Sequence, residues 1–269
     1  MGRTRDGALS RRFGPGPFKA QRACAARRRS LQSQMKVNFF KTTLGKKYVM
    51  AVTGAALFIF VVLHLLGNLQ VFLGPNQINA YGYFLQNAPE LLWPARLGLL
   101  VLVLLHIWAA LKLSAENKAA RPVAYGHYQP VASTYASRTM LMSGLIIACF
   151  IVYHLLHFTV QLPAINLTGK NFLELHDPRG RHDVYQMMLL GFSNPFVSLF
   201  YIVGMALLCL HLSHGLASGF QSLGWRNKKF GRWIDGFARG AAVLIFLGYA
   251  SIPLAVLLDR KLNWIHLFQ

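Results

Sequence analysis

Six histidines stand inside long apolar stretches of this chain. His64 lies in FVVLHLLGNLQVF, His106 in LVLLHIWAAL, His154 and His157 in FIVYHLLHF, and His211 and His214 in LLCLHLSHGLASGFQSLGW. Ionisable side chains are costly in hydrocarbon, and their default meaning there is functional. One such histidine is readily explained by an interhelical hydrogen bond; four successive stretches each carrying one call for a shared purpose. Imidazole binds metals and relays protons. Zinc would ask for three or four protein ligands at one depth, and copper for Cys or Met beside His. Covalent haem needs C-x-x-C-H, and the three cysteines, Cys24, Cys149 and Cys209, form no CxxC pair. Two trans imidazoles on a macrocycle are bis-histidine haem b. A proton relay is the other chemistry histidine supplies, but relays usually enlist Asp or Glu, which these stretches almost lack.

The elements that must position these residues follow from composition. Of 269 residues 54% are hydrophobic and 13% charged, with a formal charge of +20. A soluble domain carries nearly twice that charged fraction. A nucleic-acid binder is not this apolar, and a disordered chain still less so. Five apolar runs, at about 48–73, 91–113, 139–162, 196–220 and 237–258, are each long enough to cross a bilayer as a helix of about 20 residues. Backbone groups have no water partners there, so the runs are expected to be helical. The predicted fold is an all-α integral membrane protein of five transmembrane helices, four of which form a histidine-bearing bundle, within a domain at 35–269.

Helical rise sets the depth of each histidine. His64 follows Lys47 by 17 residues, roughly 25 Å, and His154 follows Arg138 by 16, roughly 24 Å. His106 precedes Lys112 by 6 residues, roughly 9 Å, and His211 and His214 precede Gln221 by 10 and 7, roughly 10–15 Å. The first and third runs therefore share one level, and the second and fourth another.

Basic residues orient the bundle. Of the 28 Lys and Arg, 22 fall before the first run, between the second and third, or around the connection of the fourth and fifth, whereas 5 of the 8 acids fall on the other side. The N-terminus is predicted cytoplasmic and the C-terminus outside, with His64 and His154 near the outer face and His106 and His211 near the inner one. Residues 1–34 are Arg-rich with the single acid Asp6 and lack the apolar core of a signal peptide. They are read as a disordered or non-native extension upstream of a start at Met35; a transit peptide is the other reading.

With GKKYVMAVTG leading into the first histidine stretch and the other three following in order, the chain resembles the cytochrome b subunit of succinate dehydrogenase and fumarate reductase, in its single-chain, five-helix, di-haem form (the b558 family), over about residues 38–258. The 42 residues from His64 to His106 also suit that family. The resemblance implies two haem b groups, His64 and His154 holding the distal iron and His106 and His211 the proximal one. This pairing is also the one that depth gives. Relatives show His-x-Ser-Asn-Gly-Leu at the fourth position; here it reads His211-Leu-Ser-His-Gly-Leu, which favours His211 and leaves His214 as runner-up, as His157 is to His154. Where a relative has a carboxylate two residues before the fourth ligand, this chain has Cys209, which puts in question a proton path built on that acid.

The resemblance further implies a membrane anchor in a bacterial cytoplasmic membrane, rather than a mitochondrial one, for a flavoprotein and an iron–sulfur subunit of the respiratory chain. Electrons would pass between the iron–sulfur subunit and menaquinone or ubiquinone, with no dicarboxylate chemistry and no catalytic residue in this chain. Candidates to bind the quinone near the outer level are Asn68, Gln70, Tyr83, Glu90 and Gln161, Glu90 being placed to exchange quinol protons. The basic inner loops (Lys112, Lys118, Arg121, Arg226, Lys228, Lys229, Arg232) would dock partners or propionates, or simply meet anionic lipid. The connection from Pro163 to Pro195, with His176, Asp177, His182 and Asp183, is expected to be mainly a solvated loop, a cap over the outer quinone site being the lesser reading. Other readings are an anchor of a different quinone-linked oxidoreductase, a histidine-relay transporter, or a structural membrane subunit.

Overall fold

The computed structural model describes residues 39–120 and 138–262. The proposed extension at 1–34 and the Arg121 part of the second basic loop lie outside the described residues. By contacts the chain divides into two units, Met1–Gly45 and Lys46–Gln269. In the first, a 3-10 turn at Phe39–Lys41 is closed by the Thr42 hydroxyl, which donates to Phe39 O at 2.9 Å and accepts from Gly45 N at 2.9 Å.

Helix α1 spans Thr43–Asn68 and runs on as a 3-10 turn over Leu69–Leu73. Gly74, at φ 94°, breaks it in the left-handed region that favours glycine. A short helix α2, Pro75–Gln86, then precedes α3, Pro89–Ala119. Helix α4, Met140–His154, ends in a π turn over Leu155–Thr159. The one-turn α5 (Pro163–Asn166) and α6 (Val184–Ser193) fill the connection to α7 (Pro195–Ser222), and α8 spans Gly231–Leu262. Helices α2, α3, α5 and α7 each start with Pro at the first turn, where the missing N–H costs nothing. Asn194 caps α7, its Oδ1 accepting from Phe196 N at 2.9 Å.

Five segments are long and apolar enough to cross a membrane: Thr43–Leu73, Pro89–Ala119, Met140–Thr159, Pro195–Ser222 and Gly231–Asp259. They coincide with the five apolar runs, most extending a few residues beyond them. At most 39% of the apolar window in any of these is buried. Leu63, Leu66, Leu97, Leu100 and Leu104 are all exposed, so the outside must meet lipid or another apolar surface. The chain is a multi-pass membrane protein. Helices α1 and α4 begin at one end, here called the basic end, where the buried Lys46 ammonium pairs with Glu116 near the close of α3.

The opposite end is closed by a folded cap, and here the solvated-loop expectation is corrected. Asp177 and Asp183 are 8% and 9% exposed. Asp183 Oδ1 caps α6, accepting from Gln186 N at 3.0 Å and from Asn79 Nδ2 at 3.0 Å, while Asn79 Oδ1 accepts from Tyr185 N at 2.9 Å. Asp177 accepts from the Arg179 and Arg181 backbone N–H groups and pairs with the Arg181 guanidinium, which also reaches Asn76. Burial pushes the Asp177 carboxyl up, but these donors outweigh it and hold it below the usual carboxylate range. A core of Ile78, Tyr185, Met188, Leu189, Phe192, Tyr201, Ile252 and Val256 lies beneath α2 and α6. The connection is folded rather than loose because two short helices complete each other's polar groups through Asn79 and Asp183, 104 residues apart in sequence, which no local pattern announces.

Candidate histidine sites

Two pairs of histidine rings face each other, each pair drawn from alternate spanning helices. His64 on α1 and His154 on α4 have ring centroids 5.8 Å apart at an interplanar angle of 81°. His106 on α3 and His211 on α7 have centroids 6.4 Å apart at 63°. These are the pairs that depth and spacing predict. A metal–imidazole bond of about 2 Å places the centroids of two trans imidazoles about 6 Å apart. The residues present therefore fit a bis-histidine haem at each level. Among the described residues there is no group of three or more His, Cys, Asp or Glu arranged to hold a metal ion.

Each ring is set by its neighbours. Phe60 stacks on His64 one turn later, at 5.3 Å and 17°, and Phe150 stacks on His154 in the same way, at 6.2 Å and 15°. Tyr249 of α8 lies against His64 at 6.2 Å and donates its hydroxyl to Val61 O at 2.8 Å. Thr53 Oγ1 is 3.0 Å from His106 Nδ1, and Ser143 Oγ is 3.3 Å from His211 Nδ1. Tyr201 Oη lies 3.4 Å from His154 Nδ1 and 3.0 Å from His157 Nδ1.

Of the runners-up, His157 is fully buried and does not face His64. It sits on the π turn among Tyr153, Phe158, Phe172 and Tyr201, and its Nε2 has no hydrogen-bond partner. One extra residue in that turn rotates His157 off the face that carries His154. His214 is half-buried on the same helix as His211, one turn nearer the basic end.

The five quinone candidates make separate contacts. Asn68 Nδ2 donates to His64 O at 2.7 Å, and Gln70 accepts from Gln77 at 3.2 Å. Tyr83 is half exposed, and Glu90 is exposed in the first turn of α3. Gln161 is 8% exposed, holds φ at 60°, lies 3.2 Å from His182 Nε2 through its Nε2, and leaves its buried Oε1 without a partner. Burial lowers the His182 imidazole, an effect that the Leu175 backbone and Asp183 partly oppose. A left-handed non-glycine residue costs about 1–3 kcal/mol of strain; Leu167 shares this conformation but is exposed, whereas Gln161 is buried. No hydrogen bond among the described residues joins any two of the five. At the basic end, Phe220, Trp225, Phe230, Trp233 and Phe237 line an open groove of about 800 Å³ at the α7–α8 turn, as aromatic residues commonly do at a membrane boundary.

Sequence reasoning missed Thr53, Ser143 and Tyr201. A signal for the first two exists. Thr53-Gly54 precedes His64, and Ser143-Gly144 precedes His154, with 10 residues from each glycine to its histidine. Comparison of the chain with protein families, curated proteins and solved structures yields no match.

Proposed function

We propose that this chain is the membrane-anchor cytochrome b subunit of a succinate:quinone oxidoreductase. On this reading it holds two b haems between an iron–sulfur subunit and a membrane quinone. The observation that supports this best is the pair of facing histidine couples, His64–His154 and His106–His211, supplied one residue each by four spanning helices. When bound, the two haems supply one-electron carriage across the bundle.

The chain's own residues would do the remaining work. His64 and His154 would hold the group at the cap end, and His106 and His211 the one at the basic end. The basic end would face the cytoplasm by the charge rule, bringing Lys112, Lys118, Arg226, Lys228, Lys229 and Arg232 toward partner subunits and anionic lipid. Among the quinone candidates, Gln161 offers a buried acceptor with no competing bond, and Glu90 a carboxylate at the boundary.

A reduced-minus-oxidised absorption spectrum of the purified protein is expected to show a b-type α band at two haems per chain, with a flavin-bearing subunit co-purifying from its native membrane. A protein without the band defeats this reading. The hydroxyl bridge from His154 through Tyr201 to His157 is the observation that favours the histidine-relay alternative, and a haem-free spectrum would leave that one standing. Glu90→Gln is expected to slow quinone turnover by about 10²-fold, the scale of a lost acid–base group, with both haems retained. Unchanged turnover removes Glu90 from the quinone chemistry.

A further inference from the structure

We propose that Thr53 and Ser143 are positioning residues that hold the two histidines of the basic-end pair in the iron-binding tautomer and lower the reduction potential of the haem between them; this rests on the di-haem reading. Each hydroxyl has one proton and a helix carbonyl to take it: Thr53 Oγ1 donates to Val49 O at 2.7 Å, and Ser143 Oγ donates to Met140 O at 3.1 Å. With the protons so placed, the hydroxyls accept from His106 Nδ1 and His211 Nδ1 at 3.0 and 3.3 Å. Both Nδ1 atoms then carry hydrogen, which leaves both Nε2 lone pairs for a metal.

Back-bonding of Ser or Thr to its own helix is common and by itself implies nothing. What it does not explain is that both hydroxyls meet a histidine on the neighbouring helix, at positions that repeat 90 residues apart. The glycine after each hydroxyl completes the seat. A Cβ on Gly54 would lie 3.2 Å from His106 Cε1, and one on Gly144 3.3 Å from His211 Cε1. Hydroxyl and notch thus recur together, once from α1 to α3 and once from α4 to α7. The cap-end pair is held differently. His154 shares the single Tyr201 hydroxyl with His157, and among the described residues no hydrogen bond to the His64 ring is found.

A hydrogen bond accepted from a ligating imidazole raises the ligand's basicity, favours the ferric state and so lowers the potential. Two such bonds on one haem and at most a shared one on the other make the two groups inequivalent.

The test is a redox titration of the α band in the haem-loaded complex. Thr53→Val and Ser143→Ala are each expected to raise one haem midpoint, the same one in both variants, and the double variant to raise it further, while the other midpoint stays. Thr53→Ser and Ser143→Thr keep the hydroxyl and are expected to keep the wild-type midpoints. A variant that loses one haem supports the proposal when the hydroxyl-retaining exchange restores it, and counts against it when that exchange does not. Unchanged midpoints with two haems bound, or a shift of different haems in the two variants, overturns the positioning role alone. A wild-type complex without haem overturns the electron-transfer reading on which it rests.

Discussion

On the proposed di-haem reading, His154→Ala is expected to halve the haem content of the purified protein, from two per chain to one, whereas His157→Ala leaves it at two. The two histidines lie three residues apart, and an uninterrupted α-helix would place them on neighbouring faces. The π turn over Leu155–Thr159 separates them. His154 keeps its ring 5.8 Å from His64, while His157 points into an aromatic box and, among the described residues, bonds only Tyr201. Loss of His154 leaves one ligand where two are needed. Loss of His157 removes a fully buried side chain and opens a cavity, which costs about 2–5 kcal/mol by analogy with other large-to-small core changes. The haem-to-protein ratio from the absorption spectrum, read beside thermal unfolding in detergent, separates the two effects. Retention of two haems in His154→Ala with loss of one in His157→Ala would reverse the assignment. The same comparison applies at the other level, where His211→Ala is expected to lose a haem and His214→Ala to keep both.

The second large effect is on the cap. Asp183→Ala is expected to destabilise the protein by about 2–4 kcal/mol, since it removes the α6 cap and leaves two donors, one of them deeply buried, unsatisfied. Those donors are Gln186 N and Asn79 Nδ2, and Asn79 is 1% exposed. Asp183→Asn keeps an acceptor oxygen and is expected to cost about 1 kcal/mol. Denaturant unfolding in detergent measures both. A change below about 0.5 kcal/mol in Asp183→Ala, the size of an ordinary surface substitution, would mean that the cap is not held by this network. Haem content is expected to be little changed at the basic-end pair, because Asp183 lies in the connection before α7 and the network it anchors joins only α2 and α6.

The membrane helices were legible because hydrocarbon leaves a peptide one economical option. About 20 apolar residues in succession must be helical, and five runs met that length. Their ends were less legible. Helix α3 extends to Ala119 and α8 begins at Gly231, since Lys and Glu end an apolar run in sequence but not a helix, whose charged side chains reach into water. The histidine levels were legible because rise per residue is constant, so counting from the charged boundaries measured depth.

The cap was only the lesser reading of its sequence, and its bonding was not legible. Asp177 and Asp183 look like solvated loop acids until Arg181 and Asn79 are brought to them. The repeated Thr53-Gly54 and Ser143-Gly144 were on view, but a hydroxyl next to a glycine gains meaning only when a ring from another helix arrives beside it.

By itself the sequence determined the class of protein, the five crossings and the two depths at which histidines occur, because length, hydropathy and helical rise are local quantities. Only the tertiary structure decided that the paired rings come within about 6 Å of each other, that His157 turns away, which hydroxyls lie beside the basic-end pair, and that the Pro163–Pro195 connection folds as a cap. Those outcomes depend on the rotation of each helix about its axis and on contacts across about 50 to more than 100 residues of chain, and no local pattern records either.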